Sequence, residues 1–291
     1  MDHMTHAQTQ DVSLAQLIDE AKGLLGNDAD AMVDIRSLVT QLAGLDRARQ
    51  LMEPERPLSF SKAQQLRNAF ERRAAGEPIA YITGFRHFWR HEFLVTPATL
   101  IPRPETEHLL EWALEKIPPQ QALTIADLGT GSGVLAISLA FERPQAQVFG
   151  CDLSSEALQV ARENERRLRP DSALPIGWLQ GFWGAMLKPE SLDVVVSNPP
   201  YIRPGDPHLS TGDLRFEPQA ALVAEDNGMA DYSLIVSQAA TLLKPGGWIL
   251  FEHGYDQAQP VAECLAQQGF QNISHRTDLA GHERNTAAQR G

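Results

Sequence analysis

The sequence predicts an α/β protein in which a doubly wound, mainly parallel sheet follows a small helical bundle. Three observations predict it. Residues from Val12 to about Ala75 carry apolar side chains at helical spacing. Beyond residue 105, short apolar runs alternate with longer amphipathic stretches, the pattern of strands and helices taken in turn. Between these regions, Tyr81 to Ile101 mixes apolar, aromatic and polar residues around Gly84, which reads as a short hairpin. The chain of 291 residues is long for one compact domain and suits two. The expected division is a helical domain over 1–80, a hairpin linker over 81–105 and the doubly wound domain over 106–291.

In the first region, Leu14, Leu17, Ile18, Ala21, Leu24 and Leu25 share one helical face. Asn27 and Asp28 mark a break, and Ile35, Leu38, Val39 and Leu42 repeat the spacing in a second helix. Ser61 is the expected cap of a further helix to about Arg73, and Gly76 with Pro78 ends the region. No convergent catalytic side chains appear there. In the second region, Leu123–Ala126 is the first expected sheet strand. Asp127-Leu128-Gly129-Thr130-Gly131-Ser132-Gly133 follows as a glycine turn, and Val134–Ala140 as a helix.

Strand, glycine turn, helix is a nucleotide-cofactor arrangement, because glycine permits positive φ and close backbone approach. The spacing is G-x-G-x-G with Val134 next, so it departs from the dinucleotide fingerprint, and no Gly-Lys-Ser/Thr marks a phosphate loop. The next strand, Gln147–Cys151, ends at Asp152. An acid at that tip, about twenty residues past the glycines, can accept from both ribose hydroxyls. The same residue could instead cap the helix beginning near Ser154 and Ser155.

The apolar run Asp193–Ser197 reads as a buried strand ending at Asn198-Pro199-Pro200-Tyr201. In open α/β sheets that carboxyl edge is where ligands bind. Two prolines remove two backbone donors and hold the loop extended, with free carbonyls. Such a loop suits a planar NH2 group: Asn198 Oδ1 accepts one hydrogen, a proline carbonyl the other, and Tyr201 covers the flat face.

Together these motifs resemble the class I S-adenosylmethionine-dependent methyltransferases, whose fold is a Rossmann-like doubly wound sheet. More narrowly they resemble the branch that methylates amide or exocyclic amino nitrogens, which holds both glutamine and DNA adenine methyltransferases. Further stretches narrow it: Gly76-Glu77-Pro78-Ile79-Ala80-Tyr81-Ile82-Thr83-Gly84, Leu100-Ile101-Pro102-Arg103-Pro104-Glu105-Thr106-Glu107, Arg215-Phe216-Glu217-Pro218, and Glu252-His253-Gly254. In this order they resemble the PrmC/HemK family of protein-(glutamine-N5) methyltransferases, from about Asp30 onward. The resemblance implies S-adenosylmethionine as cofactor and the glutamine of the Gly-Gly-Gln tip of class I peptide release factors as substrate. It implies that Gly129, Thr130, Gly131, Ser132 and Gly133 wrap the methionine part of the cofactor and that Asp152 holds its ribose. Trp183 would stand on the adenine side. Asn198, Pro199, Pro200 and Tyr201 would bind the glutamine, Asn198 also lying near the cofactor. Phe182 stands where many members carry Asp. The class also implies that one strand of the final pair, Phe270–His275 and Asn285–Arg290, runs antiparallel, and the family that the N-terminal helices recognise the protein substrate. A ribosomal-protein glutamine methyltransferase and a DNA adenine methyltransferase stay as rival readings, as does a non-catalytic cofactor-binding protein.

The net charge of −12 weighs against a nucleic-acid substrate, since each phosphate contact needs a cation. Cys151 and Cys264 form no C-x-x-C and are expected as buried apolar fillers, with no disulfide framework and no metal site. His253 is expected to be structural. No apolar run reaches the roughly eighteen residues of a membrane span. Met1–His6 shows no signal or transit pattern, and Met4 offers an alternative start. A cytoplasmic monomer of bacterial type is expected.

Overall fold

The computed structural model describes residues 11–291. Met1–His6 and Met4, read above for leader and start, lie outside the described residues.

Four short polar side chains start four helices. Ser13, Asp28, Asp46 and Ser59 each accept from the backbone N–H three residues on, opening α1 (Leu14–Leu25), α2 (Ala29–Ala43), α3 (Arg47–Met52) and α4 (Phe60–Ala74). Each such cap is worth ~1 kcal/mol against Ala. Ser59, not Ser61, caps α4: Ser61 already lies in the first turn, and Ser59 Oγ is the acceptor of Lys62 N–H. Leu14, Leu17, Ala21, Ile35, Leu38, Val39, Leu66 and Phe70 form this unit's core. Leu24 is 53% exposed, so the apolar stripe of α1 is narrower than its sequence spacing suggests. A short strand β1 (Val12–Ser13) pairs with β2 (Pro57–Leu58), and α5 (Ile79–Thr83) closes the unit at Gly84. Tyr81–Thr83 are therefore helical rather than part of the hairpin.

The second unit, Phe85–Gly291, opens with a hairpin of β3 (Phe85–Phe88) and β4 (His91–Leu94). Then come α6 (Thr106–Lys116), β5 (Thr124–Leu128), α7 (Val134–Glu142), β6 (Gln147–Asp152), α8 (Ser155–Leu168), β7 (Gly177–Gln180) and β8 (Leu192–Ser197). After turns of 3₁₀ helix follow α9 (Glu225–Gly228), α10 (Ala230–Leu242), β9 (Leu243–Glu252), α11 (Ala258–Gln267), β10 (Phe270–Thr277) and β11 (Glu283–Arg290). A seven-stranded sheet has the order β10-β11-β9-β8-β5-β6-β7. Strands β9, β8, β5, β6 and β7 are mutually parallel, and β11 runs antiparallel to both its neighbours.

Period-two alternation gives the sheet two buried faces. Ile125, Val194, Val196 and Leu250 pack toward α6 and α7, whereas Ala126, Val195, Ile249 and Phe251 pack toward α10 and α11. Each large side chain so buried is worth ~1.5–3 kcal/mol. The chain order reverses at β5, which has β6 on one side and β8 on the other. The carboxyl ends of β5 and β8 thus border the crevice where this class of sheet binds ligands. No helix among the described residues is long and apolar enough to cross a membrane.

Candidate active site

Leaving β5, the chain turns sharply. Gly129, Gly131 and Gly133 all have left-handed φ, near 77°, 55° and 83°. At Gly129 a side chain would also press on the Trp183 ring, its Cβ lying 3.0 Å from Cζ3. The turn is held from beneath. Gly129 N and Thr130 N donate to Cys151 O, and Thr130 Oγ1 donates to Asp127 Oδ2 at 2.6 Å. Asn164 Nδ2 donates to Ser132 O. Thr130 and Ser132 are buried, so within the loop it is Gly129 and Gly131 that line the neighbouring cavity. Asp127 is fully buried, and burial pushes its carboxyl up to about 7.

Asp152 sits at the tip of β6 with both carboxylate oxygens engaged. Oδ1 accepts from Ser154 N at 2.9 Å and Oδ2 from Gly131 N at 2.8 Å. The cap of α8 is Ser154, which accepts from Ala157 N. Asp152 therefore fastens the glycine turn to the second strand while its edge lines the cavity. Burial raises its carboxyl above the usual range, and the backbone donors oppose that rise.

The cavity, of about 570 Å³, is bounded by Gly129, Gly131, Asp152, Phe182, Trp183 and Asn198. Its wall also takes in Cys151, whose thiol burial pushes up to about 12. Cys151 is buried in the apolar core as expected and also backs the cavity, while Cys264 is only half-buried against the same core. Asp231, at the start of α10, lines the same cavity. Burial raises its carboxyl above the usual range, and the Trp183 side chain that it faces acts against the rise.

At the end of β8, Ser197 Oγ donates to Leu128 O at 2.6 Å and ties the two strand tips together. Asn198 Nδ2 then donates to Thr106 Oγ1 at 3.2 Å. Among the described residues, no donor reaches Asn198 Oδ1 or the carbonyls of Pro199 and Pro200. Tyr201 is anchored through its backbone, its carbonyl accepting from Gln257 Nε2 at 3.0 Å. A second cavity of about 460 Å³ opens on the far side of this loop, bounded by Arg103, Asn198, Pro199, Tyr201 and His208 among others. Asn198, Leu100 and Ala221 belong to the walls of both cavities, whereas Pro200 faces the first and Pro199 the second.

The roof over this junction joins two distant segments. Glu217, its side chain fully buried, accepts from Ile101 N at 2.9 Å and from the Arg103 guanidinium. Burial raises the Glu217 carboxyl, and Arg103 acts against it. The I-P-R-P-E-T-E and R-F-E-P stretches thus meet as one clasp. Sequence reasoning noted both stretches but gave neither residue a role, and it missed Thr106 and Asp231. His253 is buried with both ring nitrogens engaged, Nδ1 with Gly254 O and Nε2 with Thr286 Oγ1, which is a structural arrangement.

Two domain families match the chain. One, described as the PrmC N-terminal domain, matches residues 16–84, and the other, described as a methyltransferase domain, matches residues 119–286. The chain is 45% identical over 265 residues to the release factor glutamine methyltransferase of Vibrio cholerae, covering 91% of each chain. It is 41% identical over 272 residues to that of Salmonella typhimurium, covering 94% of this chain and 97% of the relative. Among solved structures, a methyltransferase from Pyrococcus furiosus has a TM-score of 0.53 at 14% identity, covering 77% of this chain and 98% of its own. The Thermus thermophilus 16S rRNA N2 G1207 methyltransferase, in complex with AdoMet and guanosine, has a TM-score of 0.52 at 19% identity over 71% of this chain and 50% of its own. These two likenesses establish the fold alone.

Proposed function

We infer the chemistry from one premise: the chain belongs to the release factor glutamine methyltransferase family. It is a methyltransferase whose acceptor is a glutamine of a release factor, and the nucleic-acid and ribosomal-protein readings give way to it. The finer assignments are ours. The donor is S-adenosylmethionine, and the acceptor atom is the side-chain nitrogen, N5, of the glutamine in the Gly-Gly-Gln tip of class I release factors. Since those factors act in translation, the reaction belongs to the cytoplasm. The N-terminal helices would recognise the factor.

The residues present fit the donor. Glycines without side chains border the first cavity, so backbone can approach a ligand closely. Asp152 offers a carboxylate for ribose hydroxyls, and Trp183 and Phe182 offer flat faces for a base. Phe182 brings no carboxylate beside the tryptophan, but Asp231 supplies one to the same cavity and can accept from an exocyclic amine. When bound, S-adenosylmethionine supplies a methyl group on a sulfonium sulfur that leaves as a neutral thioether.

This chain's own task is to present the nitrogen. A carboxamide nitrogen is a poor nucleophile because its lone pair is shared with the carbonyl. Asn198 Oδ1 and the Pro199 carbonyl would hydrogen-bond its two hydrogens, fixing its direction and drawing density onto it, and one of those protons passes to water as the methyl arrives. Tyr201 would cover the amide plane from the second cavity. Proximity and orientation of this kind can supply roughly 7–11 kcal/mol. The observation that carries the reading is Asn198 itself: it lies in the walls of both cavities, and among the described residues its Oδ1 is unengaged.

The test is transfer of labelled methyl to purified release factor, with a Gly-Gly-Gln to Gly-Gly-Ala factor and duplex DNA as parallel acceptors. Label on the wild-type factor alone is expected. Label on the Gly-Gly-Ala factor would move the target to another glutamine.

A further inference from the structure

A buried carboxyl stands behind Asn198 with no part in the scheme above. We propose that Glu252, acting with Thr106, is a positioning residue that fixes which way the Asn198 carboxamide points. The proposal rests on the reading of Asn198 as hydrogen acceptor for the substrate amide.

The placement follows from strand register. Ser197 of β8 pairs with Phe251 of β9 in parallel, so the next residues, Asn198 and Glu252, leave neighbouring strand tips together. Glu252 is 2% exposed and Thr106 3% exposed. The Glu252 Oε2 atom is buried with no hydrogen-bond partner among the described residues. Burial pushes this carboxyl up to about 7, and the side chains of Thr106 and Asn198, which face it, act against that rise. Arg284 also favours the charge and Glu105 opposes it. Tyr232 donates only to the Glu252 backbone carbonyl, at 2.8 Å, and so leaves the carboxyl to the other groups.

Donor and acceptor counting then dictates direction. Asn198 Nδ2 donates to Thr106 Oγ1. The threonine hydroxyl, having accepted there, has its own hydrogen to give, and the carboxylate is the neighbouring acceptor. Above about pH 7, where this carboxyl is ionised, it only accepts; below that it carries a proton and no longer fixes the direction. The pair can therefore hold the carboxamide by its NH2 end, leaving Oδ1 to the cavities. Turned over, Oδ1 would face a negative charge and a hydroxyl whose hydrogen is already committed. A buried carboxyl is costly to keep, and an uncharged side chain would serve packing better. Its value here lies in excluding the reversed amide.

The experiment compares Glu252→Gln, Thr106→Val, Asn198→Ala and the double variant Asn198→Ala with Glu252→Gln, using full-length release factor as acceptor. Glutamine can donate as well as accept, so it can hold Asn198 by Oδ1 instead. Glu252→Gln is expected to lower kcat by about 10- to 100-fold while the Kd for S-adenosylmethionine stays within about twofold. The double variant should be no slower than Asn198→Ala, because a misdirected side chain that is absent cannot be misdirected further. Wild-type turnover in Glu252→Gln beside a crippled Asn198→Ala would overturn the proposal and leave the Asn198 reading standing. So would full multiplication of the two losses in the double variant. If Glu252→Gln does not fold, Thr106→Val decides: it should show the same selective kcat loss, and a wild-type rate there overturns the proposal. Full activity in Asn198→Ala would remove the underlying reading and the proposal with it.

Discussion

The two cavities that meet at Asn198 are built in opposite ways. The first draws much of its wall from one short stretch: Gly129, Gly131, Asp152 and Ser154 come from a single strand–turn–helix–strand passage, fastened by backbone donors. The second is assembled from segments far apart in the chain. Asn198 is held by Thr106 across 92 positions, and Ile101 by Glu217 across 116. Local construction gives a site that backbone geometry alone can shape. Distant construction makes the other site depend on buried polar side chains whose partners must all arrive.

That contrast can be broken by experiment. The largest effect is expected from Asn198→Ala, which should cost about 10²–10³ in kcat by removing a preorganised acceptor. Calorimetry should find cofactor affinity little changed, and an equal loss of both would erase the distinction between the two sides. Arg103→Ala comes next. It leaves Glu217 buried without its cation, a change that costs about 3–5 kcal/mol where both partners are dry, and less here because Arg103 is partly exposed. Steady-state kinetics should show a raised KM for release factor and a smaller change in cofactor affinity. Asp152→Ala should do the reverse, weakening cofactor binding by roughly tenfold or more through loss of charged hydrogen bonds, with release-factor binding intact. Titration of each ligand alone would check it.

The smallest effect is in pH dependence, and it comes from two buried carboxyls, Asp127 beneath the glycine turn and Glu252 at the end of β9. Burial raises the Asp127 and Glu252 carboxyls to about 7, from ordinary values of 3.8 and 4.5. The folded chain therefore keeps these protons at pH values where the unfolded chain has lost them. Stability contributed by each neutral carboxyl is full below about pH 4, falls as pH rises to about 7, and is flat above. Asp127→Asn and Glu252→Gln should each flatten that decline in denaturant titrations at pH 5 and pH 8. A wild-type profile that rises across the window would contradict the sign.

The same contrast explains what the sequence revealed. The glycine turn, the strand tips and the Asn-Pro-Pro-Tyr loop were legible because each is contiguous, with its conformation written into glycine, proline and apolar runs. The parallel sheet with its one antiparallel strand followed from alternation and resemblance. Helix α3 and the β1–β2 pair escaped notice because six residues and two residues carry too little periodicity. Ser59 and Ser61 are both plausible caps by type, and only the packing of Leu66 and Phe70 chooses the register. Thr106 and Glu217 stood in motifs that marked the family but not their own roles, and Asp231 gave no local signal at all. Their roles exist only once the fold brings α6, α10 and the segment before α9 to the ends of β8 and β9.

The shared wall has a thermodynamic corollary. Asn198, Leu100 and Ala221 touch both cavities, so a ligand that stiffens or shifts them on one side alters the affinity on the other. Linkage requires the effect to be mutual: whatever factor the cofactor applies to release-factor binding, the release factor applies to cofactor binding. A spent cofactor that settles this partition differently from a fresh one would loosen its hold on the factor by the same measure, making turnover and release two readings of a single free energy.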